Sequence, residues 1–300
     1  MTKVNVECIP CILNVRSREI LMRYTGNDLR AVRFMSELAR RYAEYIKSGE
    51  LNVTYIASEL FRAVKEFLND PNPYREIKAE ANENGLKLYF RLKEYANKLS
   101  ESERLMLAIK AALLGNSLDL GVSGYSPPSA DELMGLVSKM EIMGLGEVSI
   151  LKEIRGRIVI YLLDNAGEAA LDKLLAEELR RRGAYVIAVV KSGSFQNDVT
   201  VNEVGELKLK ESFDDVVASG TDGSSIFFTE ISSDLKEVLK SADLIISKGM
   251  AHYEYLSDYE SSEGVQLIYM LRAKCGPIAR SLKVAKGSYV VRRAKVKILV

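Results

Sequence analysis

Two short polar runs carry the residues best suited to chemistry. Asp164-Asn165-Ala166-Gly167-Glu168 follows the apolar run Arg157 to Leu163, and Lys191, with Asn197-Asp198-Val199-Thr200, follows the apolar run Ala184 to Val190. A third apolar stretch, Asp243 to Ser247, leads into Lys248-Gly249. Carboxylate and amide oxygens of this kind suit a hard divalent cation, magnesium or manganese, which holds several oxygens in near-octahedral geometry. Lys191 and Lys248 suit an anion beside it, a phosphate above all. The plainer reading of Asp164-Asn165 is a helix cap, since both residue types are favoured there. The recurrence of such residues after three separate runs favours a shared site.

The elements that must position these residues are strands of one parallel sheet. The runs Arg157 to Leu163 and Ala184 to Val190 are continuously apolar and β-branched, as in strands covered on both faces, and Gly167 to Arg182 between them has the helical period. This β-α-β unit, with further strands expected at Ser225 to Phe228, Asp243 to Ser247, Val265 to Leu271 and Tyr289 to Arg292, predicts a doubly wound, mostly parallel sheet in a three-layer α/β/α arrangement. A helix is expected over Ser233 to Lys240. In such sheets ligands bind beyond the carboxyl ends of the strands, where the polar runs fall. Before it, Ile9 to about Met143 repeats apolar residues at three and four. Breaks at Thr25-Gly26-Asn27-Asp28, Ser48-Gly49, Asn69 to Pro73, Ser100, Gly115-Asn116 and Ser126 to Ser129 divide it into about six helices. The expected organisation is a helical domain over 1–148 and an α/β/α catalytic domain over 149–300, with the seam at Gly144 to Ser149.

Composition narrows the function classes. The 300 residues carry 42 Lys plus Arg against 41 Asp plus Glu, a net charge of +1, so no bulk field draws the protein to nucleic acid or to an anionic membrane. No apolar run approaches the roughly 20 residues of a membrane span. The N-terminus lacks a signal-peptide core, and the expected location is the cytoplasm. The single histidine, His252, argues against multi-histidine zinc sites and histidine-based catalysis. There is no Gly-Lys dipeptide and hence no Walker loop, and Asp164 stands where a dinucleotide fingerprint would need glycine. The three cysteines, Cys8-Ile9-Pro10-Cys11 and Cys275, allow a second metal site, a disulfide or simple buried thiols.

Taken in order, Glu7-Cys8-Ile9-Pro10-Cys11, Asp70-Pro71 with Tyr74 and Lys78, Gly115-Asn116-Ser117-Leu118-Asp119, Asp164 to Glu168, Asn197 to Thr200, Ser247-Lys248-Gly249 with Tyr253-Glu254, and Lys274-Cys275-Gly276-Pro277 resemble the damage-control phosphatases. This family was first catalogued as domain of unknown function 89, and the likeness is to its prokaryotic, cysteine-containing branch. The resemblance implies a phosphatase that uses a divalent metal (manganese, magnesium, cobalt or nickel) to hydrolyse phosphate monoesters of small metabolites. Its substrates would be damaged or side-product sugar phosphates or cofactor fragments. It implies Asp164, Asn165 and Asp198 as metal ligands, and Asp164, Asp198 and Lys274 as the catalytic set with Lys274 on the phosphate. Asn116, Asp119, Lys191, Lys248, Gly249 and Glu254 would line the substrate pocket. Homo-oligomers are compatible with the resemblance. Two departures fall on the substrate side. The loop Ser192-Gly193-Ser194-Phe195-Gln196 lacks the family's usual proline, and His252 stands where an asparagine is usual. A non-catalytic metal- or anion-binding module is the rival from another class. Carboxyl methyl transfer, described for related members, ranks lower, because no adenosylmethionine loop is recognisable.

Overall fold

A computed structural model of the chain describes residues 3–115 and 130–299. Six helices come first: α1 (Cys8–Leu21), α2 (Leu29–Lys47), α3 (Val53–Leu68), α4 (Arg75–Ala96), α5 (Glu101–Gly115) and α6 (Ala130–Lys139). Their ends follow the chemistry of the breaks. The Asp28 carboxylate accepts from the Arg30 backbone N–H, and the Asn52 side chain from that of Tyr55. At the end of α3, Asn69 takes the left-handed conformation (φ 48°) that asparagine tolerates.

The second half supplies β1 (Ile142–Met143), β2 (Ile158–Leu162), α7 (Glu168–Arg181), β3 (Tyr185–Val190), α8 (Leu209–Ser212), β4 (Asp215–Ala218), α9 (Ser233–Lys240), β5 (Leu244–Lys248), α10 (Gly249–Leu256), β6 (Glu260–Arg272), α11 (Gly276–Leu282) and β7 (Tyr289–Val296). These strands form one seven-stranded sheet in the order β1-β7-β6-β5-β2-β3-β4. It is parallel throughout except for the antiparallel pair β6 and β7. The chain leaves β2 toward β3 and β4, then returns to the other side of β2 with β5. The switch of direction, and the crevice it opens, therefore lies at the carboxyl ends of β2 and β5.

Continuous apolarity in the strands has the expected cause. Val159 and Tyr161 of β2 face one core with α4, α5 and α7, while Ile160 and Leu162 face another with α9, α10 and α11. The first core runs on from the sheet into helices on both sides of residue 148. Helices α1 to α3 close around a third core, which also takes in Phe195 from the loop after β3. Among the described residues no helix is long and apolar enough to cross a membrane.

One strand expectation is corrected, and one strand that the sequence did not signal is added. Ser225 to Phe228 is not a strand. Its apolar residues are buried by an aromatic cluster instead, Phe227 edge-on to Tyr55 and Tyr255, and Phe228 against Tyr255 and Tyr259. The edge strand is β4, four residues opening on Asp215 and bonded only to β3, too short and too polar at its start to carry an apolar signature.

Candidate metal and phosphate site

The chain following β2 turns sharply at Gly167 and starts α7. Asn82 of α4 fixes this turn by accepting the Gly167 N–H at 2.8 Å, and Gly85 allows the helix to approach, since a Cβ there would meet the Gly167 carbonyl at 2.3 Å. The loop after β3 folds back on the same turn. Asn165 and Asp198 form an antiparallel bridge, the Ala166 N–H donates to the Asn197 carbonyl at 2.8 Å, and the Val199 N–H donates to that of Asp164 at 2.9 Å. Asp164 and Asp198, thirty-four positions apart, thus come to lie side by side, both buried.

Helices of the first half brace this second loop. The Lys78 ammonium pairs with Glu203 at 2.8 Å and reaches the Asp198 carbonyl at 3.4 Å. Gln196 is held in the left-handed region (φ 42°), and its amide donates to Glu19, which also accepts from the Tyr74 hydroxyl and from Arg16. A non-glycine residue in that conformation stores strain of order 1 kcal/mol, which the surrounding contacts must hold.

Electrostatics mark the pair. Burial, and then the charge of Glu168, push the Asp164 carboxyl up to about 7, against the pull of Lys274, Lys248 and Lys191. Burial, and then the neighbouring Asp164, push Asp198 well above the carboxylate range. Lys191 stands 3.8 Å from Asp198 Oδ2, and its buried ammonium has no hydrogen-bond partner among the described residues. Burial lowers its affinity for a proton, and the two aspartates oppose that. Gly249, at φ +76°, leaves the space that Asp164 uses: a Cβ there would stand 2.0 Å from Asp164 Oδ2.

This donor set fits a hard divalent cation. Two buried carboxylates that repel each other are stabilised as anions by a positive ion between them. The Asn165 amide N–H groups are committed to Asp164 Oδ2 at 2.7 Å and Glu168 Oε2 at 2.8 Å, so its oxygen is the atom that remains for a cation. No group of three or more His, Cys, Asp and Glu suited to a metal occurs among the described residues, so a cation here would rest on the carboxylate pair and the Asn165 amide oxygen and would need further oxygen ligands.

The other expected residues fall into place as follows. Lys274 is exposed, and its charge reaches Asp164. Lys248 does not face the crevice. Its ammonium donates to the Ala112 carbonyl at 2.8 Å, Glu168 Oε1 at 2.7 Å and Asp172 Oδ1 at 2.6 Å, so its three donors are taken and none is offered to a phosphate. Asp172, four residues after Glu168 on one face of α7, also accepts from the Tyr161 hydroxyl at 2.7 Å. That spacing is the sequence signal for this network, which the strand-end argument passed over. Lys78 and Asn82 had no such signal beyond Lys78's place in a family motif. His252 is buried, its Nδ1 3.0 Å from the Ser225 hydroxyl and its Nε2 3.4 Å from the Leu163 carbonyl. Burial and then the Lys191 charge hold it neutral. Asn116 and Asp119 lie outside the described residues. Cys8, Cys11 and Cys275 are free thiols lining one cavity with Glu254, and neither Asp164 nor Asp198 is on its wall.

A pH dependence follows. The Asp164 carboxyl titrates near 7 when folded and near 3.8 when unfolded. Between these values the folded protein binds more protons, so stability is greatest below about 4 on this account and falls as pH rises toward 7. Denaturant melts of metal-free protein at pH 5 and pH 7.5 should show this group's contribution falling, and manganese should restore more stability at the higher pH. Equal stabilisation by manganese at both values would contradict the carboxylate pair as its site.

The profile of the damage-control phosphatase ARMT1-like domain matches residues 4–290. A damage-control phosphatase of Archaeoglobus fulgidus is 30% identical over 97% of this chain and 99% of its own. A damage-control phosphatase of Pyrococcus horikoshii is 31% identical over 99% of this chain and its own full length. The crystal structure of a DUF89 family protein from Pyrococcus horikoshii superposes with a TM-score of 0.83 at 28% identity, covering 98% of this chain and 99% of that one. The chain belongs to the ARMT1-like damage-control phosphatase family.

Proposed function

We propose that the protein is a divalent-metal-dependent phosphatase that hydrolyses phosphate monoesters of small metabolites, such as damaged or side-product sugar phosphates or cofactor fragments. The observation that carries this reading is the buried Asp164–Asp198 pair at the switch point of the sheet, with the Lys191 ammonium 3.8 Å from Asp198 and free of hydrogen bonds among the described residues, and with the exposed Lys274 acting on Asp164. Asp164, Asp198 and the Asn165 oxygen would hold the metal. When bound, it would neutralise charge on the phosphoryl oxygens and orient them for in-line displacement.

The rest falls to the chain. Phosphate monoesters are among the slowest molecules to hydrolyse, so positive charge must meet the oxygens where negative charge accumulates. Lys274, exposed, captures the dianion from solvent. Lys191, fixed and dry, presents its ammonium from the floor of the crevice. Glu168 holds Asn165, and Lys248 holds Glu168, so the amide keeps one orientation. Phosphate release from a panel of phosphorylated sugars and cofactor fragments is expected with manganese, cobalt, nickel or magnesium, arrested by chelator and restored by metal. Absence of release with all four metals would refute the reading.

A further inference from the structure

A cavity of about 400 Å³ is lined by residues that adjoin, in the chain, those placed around the carboxylate pair. Each loop that reaches the pair sends a close neighbour to its wall. Gly249 packs on Asp164 and its neighbour Met250 lines the cavity, the charge of Lys274 acts on Asp164 and its neighbour Cys275 lines the cavity, and Gln196, also on the wall, lies two positions before Asp198. The organic part of an ester held at the pair would extend along these loops toward this space.

The wall has a definite chemistry. Ile12, Val53, Ala57, Phe195 and Met250 supply apolar surface, and all three thiols of the chain supply soft, weakly polar surface. Burial pushes the Cys8 and Cys275 thiols up, so they stay neutral. Burial also pushes the Glu254 carboxyl up to about 8, so at neutral pH it carries a proton and can donate to a hydroxyl or carbonyl oxygen. Among the described lining residues the one cation is Lys286, which is exposed, and the Glu7 carboxylate is already paired with Arg280 at 2.6 Å. A second phosphate or a carboxylate placed here would lose its hydration against thiols and carboxyls.

Resting on the phosphatase reading above, we propose that this cavity receives the organic part of the ester and selects an uncharged leaving group with apolar surface over one that carries a second phosphate or a carboxylate. The products are the neutral alcohol, left in the cavity, and inorganic phosphate, formed with one water consumed. The cysteines act as wall, not as nucleophiles.

Two measurements test it on the full chain with manganese. In the first, kcat/KM is compared for benzyl phosphate, methyl phosphate, phosphoglycolate and a sugar bisphosphate, benzyl and methyl alcohols being leaving groups of similar basicity. Benzyl phosphate is expected to lead the others by about 100-fold, the discrimination that a filled apolar pocket supplies. Ala57→Leu, which narrows the cavity from α3, is expected to cut that lead at least tenfold while methyl phosphate turnover is kept. In the second, N-ethylmaleimide alkylation of Cys8 and Cys275 is followed by mass spectrometry. The non-hydrolysable 4-nitrobenzylphosphonate is expected to slow it at least fivefold, and inorganic phosphate alone not to do so. Bisphosphate or phosphoglycolate as the best substrate, or unprotected thiols, overturns the proposal. Should no ester turn over, the phosphatase reading fails, and thiol protection still decides what the cavity holds.

Discussion

Asp198→Asn is expected to leave a folded protein that neither turns over phosphate esters nor binds manganese measurably. The substitution keeps the shape of the side chain and the backbone bonds of its loop, whose bridge to Asn165 runs through main-chain atoms. It removes one of the two negative charges that draw a cation to this point. The loss in kcat/KM should reach about 10³-fold or more, the scale seen when a group that stabilises transition-state charge is deleted. Calorimetric titration with manganese separates this effect from a loss of fold, because the wild type should bind where the variant does not. Retained turnover in the folded variant would remove Asp198, and with it the ligand set, from the reaction.

The largest effect on stability is expected from Lys248→Met. The Lys248 ammonium is fully buried and serves Glu168, Asp172 and the Ala112 carbonyl together. Its removal leaves two carboxylates facing each other without a cation, and breaking a buried ion pair from one side costs ~3–5 kcal/mol. Burial already pushes Asp172 up to about 6 despite the lysine. Urea unfolding should show a clear fall in midpoint at pH 7.5, smaller at pH 5, where a carboxyl can take up a proton. Replacing all three partners, Lys248→Met with Glu168→Gln and Asp172→Asn, should recover much of the stability but not the activity. A single Lys248→Met variant within about 1 kcal/mol of wild type would show that the network is wet rather than buried.

The contrast between Lys248 and Lys191 shows what was legible in the sequence. Both stand at the ends of strands, and both are lysines beside carboxylates, yet one turns into the helix layer and the other stays by Asp198. Local sequence fixes the strand and its end but not the rotamer, which depends on what α5 and α7 offer beneath. The strands β2, β3 and β5 were readable because each is covered on both faces, and α9 because its cap and period agree. The short edge strand β4 gave no such pattern. The apolar run at Ser225 to Phe228 gave a misleading one, because burial among aromatic rings leaves the same composition as burial in a sheet. The bracing of the site by Asn82 and Lys78 depends on contacts 85 and 120 positions apart in the chain, a distance over which periodicity and spacing carry no information.

Those braces have a consequence for how the crevice comes into being. Helices α1 to α4 leave the ribosome before the loops they grip, and domains made in this way tend to settle from the N-terminus onward. When Asn82, Lys78 and Glu19 emerge, the turns they will clasp have not been translated, and the shape of the clasp is complete only after Gly249 has seated against Asp164. A nascent chain halted before that glycine holds its scaffold ready around an unfinished centre, so competence should come abruptly and late in synthesis rather than by degrees.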